Sequence, residues 1–237
     1  MGIAETIALT LGVAWASGIN LYAAIAVLGL MGTTGNIELP PDLLILQNPL
    51  VIVAAGFMYV VEFCADKVPG VDTGWDTIHT FIRIPAGAAL AAGAVGDVNL
   101  GVELAALIVG SGLAGATHAT KAGSRALINT SPEPVSNWTA SILEDIAVIG
   151  GLWVALNHPV VFIGLLIAFI LLMIWLLPKI WRGIKALARA IGRLFGQKPE
   201  PEAATAGAST GASSSTTEGD APGGIALSLP SSGEEPR

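Results

Sequence analysis

Six stretches of this chain are apolar for long enough to bring lipid into the argument, and that constrains its fold more than any other feature. An α-helix rises 1.5 Å per residue, so about 20 apolar residues carry it through a hydrocarbon core of about 30 Å. Inside that core every backbone N–H and C=O must be satisfied within the chain, which makes the helix the spanning element for blocks of this length. The blocks run over 3–31, 49–63, 76–95, 100–116, 138–156 and 159–177. The expected fold class is an all-α integral membrane protein of about six transmembrane helices, occupying residues 1–178. Composition agrees: 53% of the residues are hydrophobic and 12% charged, against about 25% charged in a soluble domain.

The breaks between blocks carry ordinary helix punctuation. Pro49 stands at a favoured first helical position, Pro69-Gly70 reads as a turn, and Asp76 as an N-cap. Asn129-Thr130-Ser131-Pro132-Glu133-Pro134 ends the fourth block, because the residue before a proline is pushed out of the α region. Inside the first block, Ser17-Gly18-Ile19-Asn20 places an amide beside a helix-weakening glycine, which predicts a helix break or a close packing contact there. After Pro178, Ile180, Ile184, Leu187, Ile191 and Leu194 form one stripe, with Arg182, Lys185, Arg189 and Arg193 off it. That pattern predicts a basic amphipathic helix over 179–196 lying in the lipid interface and meeting anionic lipid headgroups. Residues 197–237 are rich in Ser, Gly, Ala, Pro and Glu without apolar period, which predicts a disordered acidic tail.

Charge sets an expected orientation. The formal charge is −7, of which −5 belongs to residues 199–237. Residues 1–198 hold 12 acids and 10 bases, a near balance that removes any case for nucleic-acid binding. With six crossings and a cytoplasmic start, all 11 basic residues fall on or beside the cytoplasmic side, the positive-inside pattern. Both termini are then expected in the cytoplasm. The single cysteine, Cys64, excludes an internal disulfide.

The polar residues form a recognisable set. Glu62-Phe63-Cys64-Ala65-Asp66-Lys67-Val68-Pro69-Gly70-Val71-Asp72-Thr73-Gly74-Trp75-Asp76, Lys121-Ala122-Gly123-Ser124-Arg125, Asn129 to Pro134 and Glu144-Asp145 resemble the domain of unknown function 4126 family. The resemblance covers roughly residues 1–178. It implies a bacterial-type multi-pass membrane protein, expected at a bacterial inner (plasma) membrane, and carries no activity.

Candidate functional residues follow from spacing. Asp72, Asp76, His79 and Arg83 are separated by four, three and four, which places them on one helix face. His118, Lys121 and Arg125 repeat this on the next helix, and Glu62, Asp66, Lys67, Glu144 and Asp145 lie at similar depth. Ionisable groups so close to hydrocarbon either pair internally or line a path for a solute, ion or proton. Histidines 79 and 118 suit proton transfer or a satisfied helix-end role. A cation site from Asp66, Asp72, Asp76, Glu144 and Asp145 has no EF-hand spacing behind it, so the metal stays unknown and no cofactor is expected. Gly18 and Asn20 mark either a discontinuous helix that binds solute or glue between helices. Aligning Cys64-Ala65-Asp66-Lys67 with His118-Ala119-Thr120-Lys121 suggests a two-helix internal repeat.

No nucleophile elbow, phosphate-binding glycine loop, zinc helix or haem-attachment sequence is present. The favoured function is a small transporter or channel-like protein, for which an anionic solute or lipid headgroup would suit Arg83, Lys121 and Arg125. A lipid-modifying membrane enzyme, with Asp76, His79, Glu144 or Asp145 as acid or base, is one alternative. A non-catalytic scaffold, joined to a membrane complex or to its own copies, is the other.

Overall fold

Every long apolar block becomes a helix. The computed structural model describes residues 2–68, 70–130 and 134–196, and over them it is helical with no strand. The helices are α1 (Ile3–Thr33), α2 (Pro49–Ala65), α3 (Val71–Val95), α4 (Leu100–Ile128), α5 (Pro134–Asn157) and α6 (Pro159–Gly196), with a 3-10 segment (Pro41–Gln47) before α2. The residues of the expected tail, 197–237, and Ser131-Pro132-Glu133 lie outside the described residues. Five helices (α1 and α3 to α6) are long and apolar enough to cross a membrane, and the 3-10 segment with α2, bent by 68°, makes a sixth candidate. Leu50, Val53, Phe57 and Val60 on α2, and Leu165, Leu171, Leu172 and Ile174 on α6, are exposed. An apolar surface that broad needs lipid against it.

Helix α1 is the exception to simple crossing, because it doubles back at Asn20, whose φ of −146° and ψ of 95° are extended rather than helical. On the way in, Gly12 faces Ala155, Trp15 lies across Gly151, and Asn20 meets Asp145. On the way out, Val27, Leu30, Met31 and Asn36 line one cleft with Ile149, Trp153 and Asn157. Its partners on α5 thus run from 155 down to 145 and back up to 157. A straight helix would leave Met31 roughly 28 Å from Gly12 at 1.5 Å per residue, out of reach of Asn157. Gly29 agrees, since it packs on Leu46, and the neighbouring Leu43 closes over Gly93 near the end of α3.

Two ends of the bundle can therefore be told apart. One holds both ends of α1, the 3-10 segment, the α3–α4 connection and the α5–α6 connection: Ile3 and Thr6 share a cleft with Val95, Val98 and Val102, and Gly96 lies under Pro40. The other holds the α2–α3 and α4–α5 connections and the second half of α6, whose Ile180 packs on Gly123. Five segments, α2 to α6, run from end to end. The expected arrangement with the start and finish of the helical domain on one face does not hold, because α1 enters and leaves at the same end. Periodicity alone cannot register this, since both halves of a largely buried hairpin are apolar nearly all round.

Two further expectations change. Helix α3 begins at Val71 rather than near Asp76, which puts Asp72, Asp76, His79 and Arg83 on one buried face. Helix α6 continues through Pro178 to Gly196, with Ile180 and Ile184 against Gly123 of α4. Residues 179–196 are thus the end of α6 rather than a separate helix, and the side chains of Ile191, Arg193 and Leu194 lie outside the described residues. The suggested repeat survives only as direction: α2 and α4 run one way, α3 and α5 the other, yet Lys67 and Lys121 occupy different surroundings.

The hairpin is buried by small residues and one aromatic lock. Trp15 meets Phe162 and Phe169 edge-on, each at 6.0 Å between centroids. At the tip, a Cβ on Gly18 would sit 2.5 Å from the Ala114 carbonyl oxygen and 2.8 Å from Thr117 Cβ. Gly18→Ala is therefore expected to lower stability by about 1–3 kcal/mol, the usual cost of overpacking. Gly56→Ala, with nothing within 4 Å, should leave the thermal midpoint in detergent at or above that of wild type; equal loss in both variants would contradict this packing.

Candidate functional site

The α1 tip ends against a buried network of charges. The first half of α1 finishes with carbonyls that have no helical partner, and Lys121 Nζ donates to one of them, Ile19 O, at 3.0 Å. A cation there also complements the negative end of the helix dipole. Asn20 starts the second half: its Oδ1 accepts from Ala23 N at 2.9 Å, an N-cap bond. Its Nδ2 donates to Asp145 Oδ1 at 3.1 Å. A single amide thus caps one half-helix and reports to α5.

Lys121 is the hub. Its ammonium lies 3.2 Å from Glu62, 3.0 Å from Asp66, 3.5 Å from Glu144 and 3.9 Å from Asp76. Arg83 is fully buried and donates to Glu62 Oε1 at 2.5 Å, to Asp76 Oδ1 at 3.2 Å and to His118 Nδ1 at 3.1 Å. Arg125, also fully buried, grips both Glu144 oxygens at 3.2 and 2.7 Å. It also donates to the Asp66 carbonyl at 2.9 Å and Asn137 Oδ1 at 3.1 Å. Charges drawn from α2, α3, α4 and α5 thereby meet at the one place where α1 is broken.

The spacing-based residues divide. Asp66, Asp76, Arg83, His118, Lys121, Arg125, Glu144 and Asp145 come together, as do Gly18 and Asn20 at the tip. Asp72 lies at the edge of the network: it accepts from Gly70 N at 2.9 Å, from Asn129 Nδ2 at 2.8 Å and, at 3.4 Å, from Asn137, which also accepts from Arg125. Lys67 sits at the rim over the Phe63 ring. Partial burial pulls its ammonium below the ordinary lysine range, against the opposing pull of Asp145 and Asp66. Glu62, fully buried, belongs to the core of the network, whereas the sequence marked it only by its depth, as a carboxylate in the last turn of an apolar block. Asn137, Tyr22 and Tyr59 were missed, having no charge to draw attention.

Both histidines are held in fixed tautomers. A guanidinium only donates, so His118 Nδ1 accepts from Arg83 and its Nε2 carries the proton, donating toward Thr80 Oγ1 at 2.8 Å and Asp76 O at 3.1 Å. His118 cannot then take a proton from Thr80, which removes that hydroxyl–imidazole pair as a nucleophile and its base. His79 donates from Nδ1 to the Trp75 carbonyl at 2.9 Å and accepts on Nε2 from the Tyr22 hydroxyl at 3.0 Å. Among the described residues no group of three His, Cys, Asp or Glu is placed to hold a metal ion.

A family model described as Domain of unknown function (DUF4126) matches residues 7–179. No curated protein and no solved structure matches the chain. The matched stretch takes in the α1 hairpin and the whole charged network, and stops where α6 turns basic.

Proposed function

The chain belongs to the domain of unknown function 4126 family, and from that premise we propose that it is a small transporter or channel-like protein working at the tip of α1. One observation carries the reading: a helix broken deep in a lipid-facing bundle, its free ends turned onto buried charges. Broken backbone at such depth is tolerated where protein or a wet path satisfies it, and discontinuous helices of this kind form the ion and solute sites of transporters. A bundle needing charges only for register would not also require a hairpin ending on them. Arg83, Lys121 and Arg125 are each occupied by carboxylates, so they do not stand ready for an anion.

Orientation belongs to the same reading. Lys67, Lys121, Arg125, Lys179, Arg182, Lys185 and Arg189 gather toward one end of the bundle, while the connections at the other, 34–48, 96–99 and 157–158, hold no Lys or Arg. By the positive-inside rule the basic end is cytoplasmic and Ile3 and Thr33 lie on the opposite face. Exposed Lys179, Arg182, Lys185 and Arg189 then face anionic headgroups of the inner leaflet.

Reconstituted protein is expected to move an ion or small solute across liposomes. Asn20→Ala should cut that flux about tenfold or more, because a hydrogen bond to a charged group contributes about 1.5–3 kcal/mol and 1.4 kcal/mol is a factor of ten. Flux in wild type that Asn20→Ala leaves intact would remove the tip from the path. Absence of flux for monovalent cations, protons and anions alike would end the transport reading.

A further inference from the structure

Two independent features of the α1 tip call for the same kind of ligand. The first is charge. Glu62, Asp66, Asp76, Glu144 and Asp145 supply five carboxylates, and Arg83, Lys121, Arg125 and, at the rim, Lys67 supply four cations, a formal −1 from the carboxylates, lysines and arginines. The second is unfilled hydrogen-bonding capacity. Among the described residues, Glu62 Oε2, Asp66 Oδ1 and Asp76 Oδ2 are buried without a hydrogen bond and Asp145 Oδ2 has only the Tyr59 hydroxyl turned toward the carboxylate, against one unfilled donor in the network, Arg83 Nε. Both the surplus charge and the vacant positions are those of acceptors. Buried negative charge without a counter-ion is costly enough that it is neutralised rather than left bare.

Asp145 is the focus. It is 8% exposed and, unlike its neighbours, forms no ion pair within 4.0 Å among the described residues. The groups facing it are Asn20 from α1, Tyr59 and Glu62 from α2, Asp66 and Lys67 beyond the end of α2, and Lys121 from α4. Among the described residues no three His, Cys, Asp or Glu side chains are placed together to hold a metal ion, while Asp145 stands as one carboxylate beside the neutral Asn20 amide and Tyr59 hydroxyl, a setting with the charge for one small monovalent cation. We propose that the α1 tip and Asp145 form a binding site for a small monovalent cation, a proton or sodium, with Asn20 tying its occupancy to the hairpin. This deepens the transport reading by naming the ion, while the binding itself can be measured without transport.

The test uses full-length protein in detergent, with two measurements. The thermal midpoint is compared in sodium chloride and choline chloride, and the infrared carbonyl stretch of protonated carboxylic acid is followed across pH. A sodium-specific rise of a few degrees, by linkage of binding to stability, identifies sodium. A protonated-acid band persisting at neutral pH identifies a proton. Either signal should vanish in Asp145→Asn and persist in Glu103→Gln, an exposed carboxylate in the first turn of α4. Wild type showing neither signal overturns the proposal, as does a signal unchanged in Asp145→Asn. Should Asp145→Asn not accumulate, Asn20→Ala keeps the charge and removes its donor, and should shift the midpoint of whichever signal wild type shows; an unshifted midpoint counts against the site. Binding without flux would sink transport and leave this site standing.

Discussion

Lys121→Met is expected to remove most of the folded protein, with a loss of about 3–5 kcal/mol, the range for breaking a buried ion pair by deleting one partner. The side chain is 2% exposed and has four carboxylates within 4.0 Å. Methionine keeps the apolar stem and lacks only the terminal ammonium, so little of the effect would come from packing. What disappears is the charge that lets Glu62, Asp66, Asp76 and Glu144 approach one another, together with the cap on the Ile19 carbonyl. A surplus of one negative charge would become two. Lys185→Met, exposed on α6, should by contrast change stability by no more than about 0.5 kcal/mol. Yield of monodisperse protein and thermal midpoint in detergent measure both. If Lys121→Met unfolds at the wild-type temperature, the network is not what holds α2, α3, α4 and α5 together at this level.

That expectation is asymmetric, which separates it from a general claim that buried charges stabilise. Buried pairs rarely add net stability over apolar residues of the same shape. Their cost is accepted here where α1 stops and starts again. The backbone groups freed at Ile19 and Asn20 must find partners inside the bundle, because lipid offers none. Lys121 and the Asn20 side chain are those partners.

How much of this was legible in the sequence depends on the kind of signal. Apolar length marked all six long helices, since lipid enforces a minimum run of hydrophobic residues. The four- and three-residue spacings of Asp72, Asp76, His79, Arg83 and of His118, Lys121, Arg125 placed both sets on buried faces, because helical geometry fixes which side chains share a face. Ser17-Gly18-Ile19-Asn20 showed that α1 would break or pack closely, and it does both. Direction is what local pattern does not encode. A 31-residue apolar helix reads the same whether it crosses once or turns back at its middle, and only contacts far apart in sequence, such as Asn20 with Asp145, decide between them. Glu62 was legible only by its depth for a related reason: its partners, Arg83 and Lys121, come from other helices.

Everything functional in this account rests on α1 turning back inside the bundle. Cys64 is the only cysteine, so a Cys64→Ser background permits single-cysteine labelling in intact cells with a membrane-impermeant maleimide. Cysteines at Gly2 and at Gly35, just before and just after α1, are to be compared with one at Thr130 between α4 and α5. The hairpin predicts that positions 2 and 35 label from the same face, the outer one, and that position 130 labels only after the cytoplasmic side is opened. Labelling of 2 and 35 from opposite faces would make α1 a single crossing and contradict the account.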